Sequence, residues 1–585
     1  MRRSAMAALA AISSASLLLA GCSKAEDGND TDGNGTKAAA NAATTGVVNA
    51  SDKKGGTVTY AMSDVPDSFD PGNTYYAYMY NFSRLYARPL LTFKPAPGEK
   101  GNEIVPDLAE SKGESSDGGK TWTYKIRQGV KYEDGTEVTS ADVKYAVERS
   151  NFARDVLSLG PNYFAQFLDG GDKYKGPYKD KSDKGLASIE TPDKYTVVFK
   201  LKQAFTDFDY LVTAPQTAPV PKAKDTGVDY TKKIVSSGSY KFQSYEEGKS
   251  VTLVRNPEWS AKTDPLRKQY PDKIVVNLKV SQATIDKDLM AGTTTVDLAG
   301  RGVDTQTQAQ LLNSKDEKAN TDNTYGGRLV YAAINTKVKP FDNVECRKAV
   351  QYAIDKVAVQ TAQGGPVRGD VASTVLPPDV IGYEKFDSYA TAGNKGDAAK
   401  AQEHLKACGQ EKGFKTYISA RSDRQQEVDA ATAIIDSLKK VGINAEMKQY
   451  PSGKYFTDYA GVPKFTEKQN IGIIMMQWGA DWPTGYGFLN QILNGKAISE
   501  SGNTNLSQFD NDEVNKLLDE AIQNPDEAAR NAAYAEVDKK TMDEAVIVPL
   551  TYFKVLLYRS PNATNVVSSA AWSGQYDALN LGSTK

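Results

Sequence analysis

Ile434-Ile435-Asp436-Ser437-Leu438-Lys439-Lys440-Val441-Gly442-Ile443-Asn444-Ala445-Glu446-Met447 carries two periodicities in fourteen residues. Ile434, Ile435, Leu438 and Val441 share one face of a helix, and Gly442 is the residue that ends it. Ile443, Ala445 and Met447 then alternate, the mark of a half-buried strand. Helix passing directly into strand places this part of the chain in the α/β class. Upstream, Asp342 and Glu345 form a capping-box pattern ahead of the apolar stripe Val350, Ala353, Ile354 and Val357. Downstream, Asn524-Pro525 predicts a helix start, a capping residue followed by proline. The first half of the chain is richer in strands. Val58, Tyr60 and Met62 alternate, as do residues 122–126 and 195–201. Between these, Thr139 and Asp142 predict a capped helix with Val143, Ala146 and Val147 on its buried face.

The chain of 585 residues is too long for one core, so two or three domains are expected. Its net charge of -2 and pI near 5.9 point away from nucleic acid. A hydrophobic fraction of 40% and a mean hydropathy of -0.51 are ordinary for a soluble protein. One histidine and three cysteines make a His-based metal or catalytic site improbable, and no metal or cofactor is expected. His404 reads as a surface residue of a polar helix. No Gly-x-Ser-x-Gly elbow and no phosphate-cradling glycine loop is present, so no catalytic residue is assigned.

The N-terminus reads as an export signal. Arg2 and Arg3 precede an apolar or small-residue stretch that ends in Leu19-Ala20-Gly21-Cys22. This ending resembles the bacterial lipobox, which implies a signal peptide over residues 1–21 and diacylation of Cys22. Two acyl chains anchor stably where one binds only marginally. Residues 22–56 are small and polar, and read as a flexible tether to a body that starts at Thr57.

Further blocks follow in order: Val105-Pro106-Asp107-Leu108-Ala109-Glu110; Tyr124 to Gly135; Ser140-Ala141-Asp142-Val143; Arg255-Asn256-Pro257; Ala291-Gly292 with Val296-Asp297; Pro340-Phe341-Asp342 through Arg347-Lys348-Ala349 to Ala353-Ile354-Asp355; Trp478-Gly479-Ala480-Asp481-Trp482-Pro483; and Val548-Pro549-Leu550. Together they resemble the family 5 solute-binding proteins, the dipeptide, oligopeptide and nickel group. The resemblance implies a three-domain Venus-flytrap fold with a discontinuous domain I. Domain I would take residues 57–77, 206–326 and 547–585, domain II 78–205, and domain III 327–546. The interdomain crossings would lie near residues 325–329 and 546–549.

The implied function is an exported, membrane-anchored receptor that hands a short peptide to ABC permease subunits driven by a cytoplasmic ATPase. A monomer is expected. Asp481 would receive the ligand's ammonium, and residues 477–481 would offer backbone to an extended peptide. Trp478, Gly479, Ala480 and Trp482 are the neighbouring candidates, and Asp64, Val65 and Pro66 would supply a second backbone segment from the opposite jaw. Read alone, Asp481 is equally a turn or capping aspartate and the tryptophans are equally core. The Tyr75, Tyr76, Tyr78 and Tyr80 run reads as packing. Arg301, and next Arg368, are candidate partners for a ligand carboxylate, though both read more simply as surface arginines. Thr484-Gly485 departs from the Asp-Pro found in many members. An oligosaccharide ligand and a cleft-based sensor stay open as alternatives, and the lone histidine disfavours nickel and haem. Cys346 and Cys408 both fall in domain III of an exported chain, so a disulfide between them is expected, with two buried thiols as the alternative.

Overall fold

The computed structural model describes residues 39–182 and 184–585, and three sheets organise them. The signal segment and Cys22 lie outside the described residues.

The first sheet has five strands in the order Val296–Asp297, Thr57–Ala61, Lys273–Asn277, Ser250–Arg255, Tyr240–Glu246. Thr57–Ala61 runs parallel to both its neighbours. Its alternation buries Val58 and Tyr60 against Phe82, Tyr86, Leu253 and Val276. The second sheet is antiparallel: Glu114–Ser116, Thr121–Lys125, Thr196–Lys200, Ile189–Asp193. The helix Ser140–Phe152 covers it, and the Asp142 carboxylate accepts the Thr139 backbone N–H at 2.8 Å, closing the capping box.

The third sheet holds six strands in the order Gly369–Val371, Ile547–Tyr558, Thr321–Ile334, Ile471–Gly479, Lys415–Arg421, Asn444–Tyr450. The helix Gln425–Lys439 precedes its outer strand, with Gly442 at φ 89° in the turn between them. Ile434, Leu438, Val441 and Ile443 are all in the core of this sheet.

Two long strands tie the first and third sheets together. Thr321–Ile334 and Ile547–Tyr558 pair antiparallel, and their register breaks between Tyr325 and Leu329. On one side of the break Leu556 and Tyr558 pack with Ala61 and Ile285. On the other Ala332, Ile334, Val548 and Leu550 pack in the core of the third sheet. Gly327 sits in the break at φ 61°, a conformation that favours glycine. The break faces Tyr552 and Lys554, while residues 547–549 pair within the third sheet.

Several expectations are corrected. The body begins before Thr57. Residues 39–56 include a helical turn, Ala42–Thr45, and a bridge from Val48 to Val566. The Ala43 N–H donates to Asp322 at 3.0 Å, and the Ser51 N–H to Asn565 at 2.8 Å. Backbone hydrogen bonds and small buried side chains fix this stretch where large apolar residues are lacking. Asn343, not Asp342, caps the helix Val344–Ala353, by accepting the Glu345 N–H at 2.9 Å. Glu345 is thereby free to meet His404, whose Nδ1 lies 2.7 Å from its carboxylate and whose ring stacks on Tyr352. His404 is therefore half-buried and partnered, not a plain surface residue. The last long helix, Glu527–Asp543, is capped by Asp526, with Asn524 two residues before the cap accepting the Asp526 N–H.

Cys346 and Cys408 form a disulfide across 62 residues. Cross-linking a loop of that length stabilises by about 4 kcal/mol in the chain-entropy account. Replacing both cysteines by serine is expected to lower unfolding free energy by that order, measured by denaturant titration. Non-reducing peptide mapping should recover the linked pair, whereas alkylation of both thiols in the native protein would contradict it.

Candidate functional site

The strand Ile471–Gly479 is buried along its first six residues and half-exposed over Gln477, Trp478 and Gly479. There it reaches a cavity of about 300 Å³ whose wall holds Trp478, Gly479, Ala480, Asp481 and Trp482. Tyr75, Tyr76 and Tyr80 close it from one side. Tyr163 and Tyr210 come from the second sheet's side, and Trp572 from near the C-terminus. The cavity thus lies where all three parts of the fold meet.

Asp481 is held by phenols. The Tyr75 hydroxyl donates to its Oδ1 at 2.6 Å, and Tyr163 is a second hydrogen-bonding neighbour. Burial raises its pKa above the ordinary carboxylate value, while the two phenol hydrogen bonds pull the other way. Among the described residues no Lys, Arg or His forms an ion pair with it. Tyr75 is set there by Asp67, whose carboxylate accepts the Thr74 hydroxyl at 2.6 Å and the Tyr75 N–H at 2.9 Å.

The two tryptophans do different work. The Trp478 indole N–H donates to the Phe488 carbonyl at 2.9 Å and the ring forms part of the cavity wall. Trp482 is buried, and its indole N–H donates to Asp207 at 2.9 Å. The Thr484 hydroxyl donates to the same Asp207 oxygen at 2.6 Å, so the unusual Thr484 ties the rim to the segment that follows the second sheet. Thr484 also caps the helix Gly485–Leu493 through the Gly487 N–H.

A cation absent from the sequence reading stands in the same wall. Arg328 pairs in register with Gly479, and a Cβ on Gly479 would come within 2.9 Å of its side chain. The glycine is what lets the guanidinium lie across the strand. Arg328 sits 5.7 Å above the Phe553 ring. Among the described residues it has no hydrogen-bond acceptor and no carboxylate partner. Burial, and then the like charge of Arg424, lower its pKa. Its one sequence signal is its place directly after Gly326-Gly327, in the predicted crossing at residues 325–329.

Other expected site residues lie elsewhere. Asp64 and Val65 are exposed and Pro66 is buried, and none of them is in the wall of this cavity. The Asp67 anchor turns the loop so that Tyr75, not residues 64–66, meets Asp481. Arg301 is exposed and its backbone N–H donates to Asp297. Arg368 is half-buried, donates to the Val303 carbonyl at 3.1 Å, and lines a neighbouring depression with Arg421 and Arg424. The tyrosine run, read as packing, supplies three cavity residues.

Comparison with known proteins places this geometry. The model described as "Bacterial extracellular solute-binding proteins, family 5 Middle" matches residues 103–500. The chain belongs to this family. A solved structure titled "Clavulanic acid biosynthesis oligopeptide binding protein 2" superposes with a TM-score of 0.90 at 39% identity, covering 94% of this chain and 99% of that one. The di/tripeptide-binding protein 1 of Pseudomonas aeruginosa is 26% identical over 78% of this chain and 82% of its own. Heme-binding protein A of Haemophilus influenzae is 26% identical over 95% and 96%. The three-sheet body is the periplasmic-binding-protein fold of this family. Among the described residues no helix is long and apolar enough to cross a membrane.

Proposed function

We propose that this family 5 member is the extracytoplasmic, lipid-anchored receptor of an ABC importer, and that it captures short peptides in the cavity around Asp481. The observation that carries the reading is a carboxylate facing a partly open cavity with phenols for partners and, among the described residues, no cation in an ion pair with it. A buried charge is tolerated best when paired, and a peptide α-ammonium is the missing partner. Arg328 supplies the opposite requirement, a guanidinium without a partner among the described residues, for the α-carboxylate. Between them, the half-exposed backbone of residues 477–481 offers strand-like hydrogen bonds that read no side chain. An oligosaccharide would leave both charges unpaired, and haem would leave Asp481 so. In this reading the ligand is carried unchanged, the domain divisions follow the three sheets, and the protein acts as a monomer. Cys22 is the anchor, and the permease with its ATPase is the partner.

Closure of the jaws on the ligand is the expected response. Ligand-free protein, prepared by unfolding in guanidine and refolding, should show a smaller radius of gyration by small-angle scattering when a tripeptide is added to saturation. Identical curves would contradict capture by closure. Cys22→Ala should move the protein from the membrane fraction to the soluble one. Detergent-dependent extraction of a lipidated variant would contradict the anchor.

A further inference from the structure

A depression of about 290 Å³ adjoins the Asp481 cavity on the third sheet, with Arg368, Arg421, Arg424, Gln426 and Gln477 in its wall. We propose that it receives an acidic side chain carried by one of the last two residues of the bound ligand, so that the protein favours short peptides with glutamate or aspartate there. The inference rests on the peptide reading of the Asp481 cavity and names the side-chain class.

The depression continues the line of the first cavity. Arg328 pairs in register with Gly479, and both are in the first wall. Val330 pairs with Gln477, and both are in the second. Residues two apart on a strand face the same side, roughly 7 Å from one another. Phe553, the ring beneath the Arg328 guanidinium, also lines the depression. The depression therefore begins one step beyond the guanidinium that faces the α-carboxylate, within reach of a side chain near the peptide's C-terminus. Arg424 and Gln426 are exposed, and Arg368 and Gln477 are half-buried, so a ligand can touch all four.

The wall carries surplus positive charge. Its one carboxylate is Glu427, and Arg421 takes both oxygens: Oε1 accepts the Arg421 backbone N–H at 2.7 Å, and Oε2 accepts the Nε–H at 2.8 Å. Arg368 and Arg424 are left over, and among the described residues neither forms an ion pair. Each guanidinium donates to a neutral acceptor, Arg368 to the Val303 carbonyl at 3.1 Å and Arg424 to the Ser452 hydroxyl at 3.3 Å. Asp423, next to Arg424 in the chain, accepts the Ser452 hydroxyl at 2.7 Å and is not in the wall. Asp286 and Asp304 attract Arg368 from outside the wall without pairing with it. Burial, then the like charge of Arg421, lowers the Arg424 pKa. Arg424 in turn repels Arg328. Guanidiniums close enough to repel, none of them holding a carboxylate, are stabilised by an anion set beside them. The side-chain amides of Gln426 and Gln477 have no hydrogen-bond partner among the described residues and supply further N–H donors. A cationic side chain would add to the repulsion, and a neutral one would leave it in place.

Calorimetry on ligand-free protein tests this with three pairs of tripeptides. Each pair carries either glutamate or its uncharged isostere glutamine at one position of an otherwise all-alanine chain. At the second or third position glutamate is expected to bind at least about tenfold more tightly than glutamine, about 1.4 kcal/mol. Arg424→Gln, at an exposed position, should narrow that gap, and Arg368→Gln combined with it should close the gap. Arg301→Gln, which changes an exposed arginine in neither wall, should leave it unchanged. The wild-type comparison and the Arg424 variant stand even if the double variant does not fold. Glutamine binding as well as glutamate at both positions, a preference confined to the first position, or an equal narrowing by Arg301→Gln would overturn the inference and leave the peptide reading intact. Failure of every peptide to bind would overturn the peptide reading itself, and this inference with it.

Discussion

Asp481→Asn is expected to weaken the binding of a free short peptide by about a hundredfold, roughly 3 kcal/mol. The substitution keeps the shape and the hydrogen bond from Tyr75 but removes the charge that the ammonium requires. The bound ammonium then stays desolvated without compensation, which is why the loss is large. N-acetylating the peptide removes the same charge from the ligand and should cost as much on wild type. The two changes together should cost less than their sum, because the second no longer strands a charge. Calorimetry on the four combinations reads the coupling, and additive losses would contradict a direct contact. Binding should also weaken on acidification, since only the ionised carboxylate attracts an ammonium. Because burial raises the Asp481 pKa, that loss should begin at a higher pH than for an ordinary aspartate. Thermal stability of the unliganded protein should not fall with Asp481→Asn, because the variant removes a carboxylate that has no cation paired with it among the described residues.

Arg328→Met should produce a loss of similar order for peptides with a free C-terminus, and almost none for C-terminal amides. The guanidinium has no acceptor among the described residues and leans on the Phe553 ring, so methionine preserves the packing while deleting the charge. Affinity and stability should move in opposite directions. Deleting an uncompensated, half-buried cation leaves the empty protein as stable as before or more so, while the carboxylate loses its partner. A parallel fall in melting temperature and affinity would mark Arg328 as a structural residue. Equal losses for free and amidated peptides would show that it meets some other part of the ligand.

The order of the sequence blocks along this chain is easier to read than their three-dimensional meetings. Helix Gln425–Lys439, Gly442 and strand Asn444–Tyr450 follow from local periodicity, because each is decided by its own side chains. Asp481, Trp478 and Trp482 were legible as a block. Tyr75 was not legible as a partner, since its contact with Asp481 spans 406 positions and depends on the Asp67 loop anchor. Arg328 was missed for a related reason. The strand that leads to Asp481 carries no Lys or Arg, and the cation comes from the neighbouring strand, across Gly479. Asp64–Pro66 were expected in the site because residues before an Asp-Pro turn were read as free strand. The carboxylates of Asp64 and Asp67 instead fold that segment back on itself. Residues 39–56 lacked any apolar pattern because their place is fixed by backbone hydrogen bonds, which leave no trace in side-chain periodicity.

The central claim is that the cavity at Asp481 holds a peptide with free termini. Ligand-free protein equilibrated with an equimolar mixture of di- to hexapeptides, their N-acetylated forms and oligosaccharides, then washed and analysed by mass spectrometry, tests it directly. The account predicts about one equivalent of retained peptide, drawn from those with a free N-terminus. Retention of oligosaccharide, or of acetylated and free peptides alike, would contradict it.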